Sequence, residues 1–435
     1  MPAHLGLIEA CRLIQSKALD EKKYLQDCYN LADLLEPQLK AFVTRSTIDV
    51  LQKSMRSGPL SAIPVGIKDI ISTKDLITTN GSVIYQNHLP KENAPIVEKL
   101  FNLGGVLFGK TVSTEFAYRK SGPTKNPWNH QHTPGGSSSG SAAAVAVGIV
   151  PLEVGTKTQG SVIRPAAFCG VVGFKPSFGI LPIEGIFPFS GSLDHVGLFT
   201  RSVDDVAYAF DLLQHTSVQA DEHVKPALDL DQELASNLNP RLALLKTPFD
   251  HFISQEQVLA IQHVISKLRS EGVIVNEIEL PTLFWDSLHS MTTLMFYEAA
   301  IVHQHHVKEF KHLLSEHIQS LVTQGQAITT IEYANAKTTQ SQLRQAVVPY
   351  LSQYDALLTI PANGEAPLGL SSTGDPMFCS LWSFLGLPAI TMPIAKSRNN
   401  LPLGLQLVGK MTQDQLLLQT AKTVQTICLF DVYQS

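Results

Sequence analysis

Gly155-Thr156-Lys157-Thr158-Gln159-Gly160-Ser161-Val162-Ile163-Arg164-Pro165 sets a glycine directly before a serine, between an apolar run and a proline. Leu152 to Thr156 reads as a strand. Pro165 suits the first position of a helix, where its missing N–H costs nothing. Val171-Val172-Gly173-Phe174 predicts the next strand. Strand, tight turn, helix and strand in immediate succession point to an α/β fold with a mixed sheet flanked by helices.

Two upstream stretches extend the pattern. Pro134-Gly135-Gly136-Ser137-Ser138-Ser139-Gly140-Ser141 leads into Ala142 to Val147, a small-residue helix suited to close packing. Ile63 to Ile71 reads as a buried strand with a polar exit, Lys68-Asp69. Between them, Pro95 to Leu103 predicts an amphipathic helix and Val106 to Lys110 a short strand. Residues 1–56 read as a helical segment packed on the core, closed by Ser57-Gly58-Pro59, with 57–435 as the catalytic domain of one compact unit. Further on, residues 217–239 read as a loop. Arg241 to Ile278 gives a β-α-β pattern, Phe284 to Val322 is mostly helical, and Ala389 to Pro393 and Leu405 to Val408 predict a hairpin.

The 435 residues are 44% hydrophobic and 16% charged, ample for a large core. A net charge of −5 argues against nucleic acid and basic membrane-surface roles. No apolar run is long enough to span a bilayer, so no membrane is expected. Five scattered cysteines form no C-x-x-C pair, which fits reduced thiols and a cytoplasmic location.

The three stretches suggest a serine nucleophile served by a lysine. A serine hydroxyl attacks poorly until a base takes its proton. A lysine amine can be that base only after losing its own proton, and burial lowers its pKa. A drop of roughly three units costs about 4 kcal/mol. Lys68 has apolar flanks that would supply such burial; a strand end pointing to solvent is the plain alternative. Successive N–H groups at Thr158, Gln159, Gly160 and Ser161 have the sequence of an oxyanion hole; an ordinary turn is the alternative. A helix starting at Ala142, straight after the Gly/Ser loop, would present free N–H groups and a positive dipole that disfavour a nearby ammonium.

In this order the stretches resemble the amidase signature family. The resemblance rests on Ile63 to Asp69, Gly109-Lys110-Thr111, Asn126-Pro127-Trp128-Asn129, Pro134 to Ser141, Gly155 to Gly170, Gly173-Phe174-Lys175-Pro176 and Ser192-Leu193-Asp194. It resumes from about Pro361 to Gly409. It implies a Ser–cis-Ser–Lys triad of Ser161 as nucleophile, Ser137 as bridging serine on a cis peptide, and Lys68 as base. It implies an acyl-enzyme, loss of ammonia or an amine from a small-molecule amide, and no metal or organic cofactor. A homodimer or a partner subunit is left open, as is a non-catalytic or amidotransferase-complex role. Two departures stand out: Lys157 where the family often has Asp, and Gln159 where it often has Gly.

Arg164 resembles the arginine that grips a substrate carboxylate in the malonamidase-type branch, and an ion pair within the fold is the alternative. The carboxylate reading implies a small carboxylate-bearing amide or urea-type compound. The residues after Ser161 read differently from allophanate hydrolase. Ser113-Thr114-Glu115-Phe116 stands where the glutaminyl-tRNA amidotransferase A subunit is expected to have Met-Asp-Glu-Phe.

Competing signals are weaker. Gly136-Ser137-Ser138-Ser139-Gly140 matches a nucleophile elbow centred on Ser138, with Asp194 and His195 as partners, but the residues before it make a poor strand. No G-K-[ST] follows to make a phosphate loop. His303, His305, His306, His312 and His317 lack a completing ligand and read as a solvated helix face. Trp382 reads as core that also reaches the pocket.

Overall fold

The computed structural model describes residues 4–217, 230, 234–428 and 430. Most of the loop expected at 217–239 lies outside the described residues. Eleven strands form one sheet. In chain order they are β1 (Phe42–Arg45), β2 (Pro64–Lys68), β3 (Val106–Thr111), β4 (Leu152–Lys157), β5 (Val172–Lys175), β6 (His195–Thr200), β7 (Arg241–Lys246), β8 (Ile274–Glu279), β9 (Ala356–Thr359), β10 (Ala389–Lys396) and β11 (Pro402–Val408). Across the sheet the order is β1-β3-β2-β4-β6-β5-β10-β11-β9-β7-β8. Helices flank this mixed sheet, as the sequence pattern predicts for an α/β chain.

The parallel trio β3-β2-β4, next to edge strand β1, and the trio β9-β7-β8 at the far end are joined by antiparallel pairs. β2, β3, β4, β5 and β6 are buried along their whole length, so both faces are covered. The predicted hairpin is present as β10 and β11, with Ala389 opposite Val408.

Glycines let a short helix, Ile163–Cys169, lie close on the sheet. A Cβ on Gly173 would stand 2.5 Å from that of Ala166, and one on Gly197 would stand 2.5 Å from Val162 Cγ2. The helix starts at Ile163, so Pro165 stands inside its first turn, where helical N–H groups have no partner anyway.

The first 56 residues include helices at Leu7–Gln15 and Glu21–Leu39, as expected. They also supply strand β1, which pairs antiparallel with β3. The segment is therefore woven into the central sheet. Its helical pattern gave no sign of a four-residue strand, because Phe42-Val43-Thr44-Arg45 is too short to establish an alternation.

Candidate active site

Lys68 ends β2, which runs between β3 and β4. It is fully buried. Its Nζ lies 2.7 Å from Ser137 Oγ and 2.8 Å from Thr156 Oγ1. Burial lowers its pKa from 10.5 to about 7, against an upward pull from the Asp194 carboxylate. The helix Ser139–Ala146 begins just after Ser137, and its positive end further disfavours an ammonium there.

The loop before that helix is tightly fixed. The Gly136–Ser137 peptide is cis. Ser139 Oγ donates to Gly135 O (2.7 Å), and the Thr114 N–H donates to Ser137 O (3.1 Å). Gly140 sits so close to the neighbouring chain that a Cβ would meet Ala41 O at 2.1 Å.

Ser161 stands at the turn between β4 and the helix Ile163–Cys169, with Gly160 before it. Ser137, Ser161, Thr158, Gln159, Gly160 and Arg164 all line one cavity of about 280 Å³. Among the described residues, the N–H groups of Gln159, Gly160 and Ser161 donate to no backbone or side-chain acceptor of the chain. Ser383 Oγ donates to Gln159 O (2.7 Å) and Thr158 Oγ1 to Asp194 Oδ1 (2.6 Å), so the loop is held from both sides.

Arg164 is buried and makes no ion pair among the described residues; it bonds to backbone oxygens and to the Thr373 hydroxyl instead. Its Nε donates to Thr373 O (2.6 Å) and one Nη to Gly136 O (2.8 Å). The other Nη has no partner. A side chain on Gly160 would collide with that free nitrogen, 2.6 Å from the Cβ position. Among the described residues Arg164 therefore does not form the internal ion pair that the alternative requires.

The two departures have physical consequences. Lys157 is fully buried and its Nζ has no hydrogen-bond partner. Burial lowers its pKa to about 8, offset in part by Cys379 and reinforced by Arg164. Gln159 contributes its backbone to the loop and is held there by Ser383.

The competing readings do not assemble. Ser138 donates to Thr156 O (3.2 Å), while His195 Nδ1 is 2.6 Å from Leu193 O. Asp194 is occupied by Thr158 and by the N–H groups of Phe189 (2.9 Å) and Ser190 (2.8 Å). Ser138, His195 and Asp194 therefore form no relay. The histidine cluster requires a correction. His305, His312 and His317 are exposed, but His303 and His306 are buried. His306 Nε2 is 2.8 Å from Tyr85 Oη, and both rings pack on Phe116 and Phe187. Burial lowers His303 to about 3 and His306 to about 4, so both stay neutral and behave as aromatic core. Trp382 is core and is not among the cavity's lining residues.

Sequence reasoning missed Thr156, Asp194 as a neighbour of Lys68, and the loop Ser371 to Pro376 that lines the cavity. Thr156 lies inside the quoted motif; its even spacing from Thr158 was the available signal.

A match to the family described as Amidase spans residues 24–418. The chain is 29% identical to the A subunit of a glutamyl-tRNA(Gln) amidotransferase from Halothermothrix orenii, over 97% of this chain and 96% of that protein. It superposes on a crystal structure of an amidase with a TM-score of 0.85 and 29% identity, covering 97% of this chain and 99% of that one. A peptide amidase in complex with the inhibitor chymostatin gives 0.83 and 26%, covering 98% and 97%. The fold and these likenesses define an amide-hydrolysing enzyme. The chain belongs to the Amidase family.

Proposed function

We propose that the chain hydrolyses a small carboxylate-bearing amide or urea-type compound through an acyl-enzyme formed on Ser161. The observation that carries this reading is the buried contact of 2.7 Å between Lys68 Nζ and Ser137 Oγ, beside the cavity that Ser161 lines. In this reading Ser161 Oγ attacks the amide carbonyl carbon. Its proton passes to Ser137, whose own proton passes to neutral Lys68. The N–H groups of Thr158, Gln159, Gly160 and Ser161 hold the oxygen that becomes negative. The proton on Lys68 returns through Ser137 to the leaving nitrogen, and ammonia or an amine departs. Water then cleaves the ester and restores Ser161.

The free nitrogen of Arg164 gives a substrate carboxylate a buried donor at the cavity floor. The five free cysteines fit a cytoplasmic setting. Among the described residues no helix is long and apolar enough to cross a membrane.

The test is ammonia release from a panel of amides, with and without a carboxylate, by the wild type and by Ser161→Ala. A covalent adduct at Ser161 and loss of turnover in the variant are expected. Equal turnover by wild type and Ser161→Ala overturns the assignment.

One observation favours a second reading. The Halothermothrix relative is named as part of an amidotransferase, and the match covers nearly all of both chains. Under that reading the chain works together with a second protein. Wild-type chain that is inert on every amide alone, yet active once a stably bound partner is added, would establish it.

A further inference from the structure

The cavity over Ser161 has a buried floor and an exposed mouth of different chemistry. Ser137, Ser161 and Arg164 make the floor, while Arg119, His317 and Asp375 line the mouth and are exposed. Asp375 is engaged at home: its carboxylate accepts the Met377 N–H at 2.9 Å. Arg119 has no acidic partner among the described residues; the ion pair in its segment belongs to Lys120, 3.8 Å from Glu115. Its guanidinium rests on the Tyr118 ring, 5.4 Å from the centre.

The backbone here takes an unfavourable shape. Phe116, Ala117 and Arg119 have φ of 48°, 61° and 45°, a left-handed region that residues with a side chain adopt at a cost. That shape leaves Tyr118 buried and Arg119 at the rim. A single buried carboxylate fixes both sides of the mouth. Glu115 accepts the Ser315 N–H (3.2 Å), just before the helix Glu316–Gln326 that carries His317. An exposed arginine on strained backbone adds little to the fold, so the arrangement calls for another account.

We propose that Arg119, with His317 on the same mouth, is a second anion subsite of the substrate cavity. It receives an acidic group at the end of the substrate remote from the scissile amide. The substrate class is then an amide with two acidic groups, one toward Arg164 and one at the mouth. This rests on the reading of the Ser161 cavity as the substrate site. Arg119 is a specificity-determining residue here, and no step of the chemistry passes through it.

The experiment compares one amide bearing a distal carboxylate with its methyl ester. The wild type should favour the acid about two- to fivefold in kcat/KM, the upper part of the range for an exposed charge pair, and added salt should shrink the ratio. Arg119→Gln should abolish the preference through KM, and Arg119→Lys should keep part of it. Calorimetry on Ser161→Ala with the same pair reads the preference without turnover. A wild type with no preference for the acid, or an Arg119→Gln variant that keeps it, overturns the subsite even if the ester is hydrolysed normally. Failure of turnover on every amide, with the binding preference intact, counts against the Ser161 chemistry and leaves the subsite standing.

Discussion

Replacing Asp194 by Asn should move the acid limb of the pH–activity profile to lower pH. Lys68 has to be neutral before it can take a proton, and burial brings its pKa from 10.5 to about 7. At neutral pH a lysine of ordinary pKa is neutral in roughly one molecule in 3,000, whereas one titrating near 7 is neutral in about half. Burial thus raises the competent fraction about 1,500-fold, equivalent to about 4 kcal/mol. Asp194 opposes this, because its carboxylate raises the pKa of Lys68. Asp194 is itself raised to about 6 by burial, so its opposition is present above that pH and fades below it. The wild-type kcat/KM should climb with pH and level off above about 7, and Asp194→Asn should show its midpoint lower. The assay is ammonia release from about pH 5 to pH 9, with an amide that does not titrate in that range. Asparagine serves the N–H groups of Phe189 and Ser190 and the Thr158 hydroxyl less well, at a cost of about 1–3 kcal/mol in stability. That loss changes the amplitude of the profile and leaves the midpoint alone. A midpoint at or above the wild-type value, or a profile flat across the range, would refute the role given to Lys68.

Other perturbations follow from the same geometry. Lys68→Ala should reduce kcat at least a hundredfold while the fold persists by circular dichroism; activity near wild type would remove Lys68 from the relay. Arg164→Met should raise KM for carboxylated amides more than for neutral ones, and an equal loss on both would leave it only the strapping of Gly136 and Thr373. Lys157→Met should stabilise the protein at neutral pH by up to about 3 kcal/mol in urea unfolding. The folded pKa of Lys157, about 8, lies below the unfolded value, so its destabilising effect is full below about pH 8 and fades as the pH rises toward 10.5. A Lys157→Met protein less stable at neutral pH, or a gain that widens with pH, would contradict this. Gly140→Ala should cost more than about 3 kcal/mol or prevent folding, because the new Cβ meets the backbone at Ala41 O and Val112 N.

The sequence was most legible where backbone and motif coincide. Val106 to Lys110, Val171 to Phe174 and the hairpin partners each fall within a strand or nearly so. Lys68, Ser137 and Ser161 were read from three separate stretches, and the fold places the first two in contact across 69 positions of chain. What stayed hidden depends on long-range packing. The partner of Arg164, Thr373, lies 209 positions away, and no local pattern announces it. His303 and His306 carry a polar label, yet neutral imidazole packs well against Phe116 and Phe187, so their burial contradicted the solvated-face reading. Phe42 to Arg45 failed for the opposite reason: pairing with β3 makes it a strand, whatever its intrinsic preference.

That small strand has a consequence for how the protein behaves at high concentration. A sheet with open ends offers rows of unpaired backbone donors and acceptors to other molecules. β8 guards one end with Glu277 and Glu279. At the other end β1 is only four residues long, and Arg45 is tied to Asp33 at 2.7 Å. Inside it lies β3, buried along all six residues. A shortened chain without β1 would turn β3 into a bare, apolar template for strand addition. β1, Phe42–Arg45, therefore shields that edge against strand addition as well as forming part of the fold.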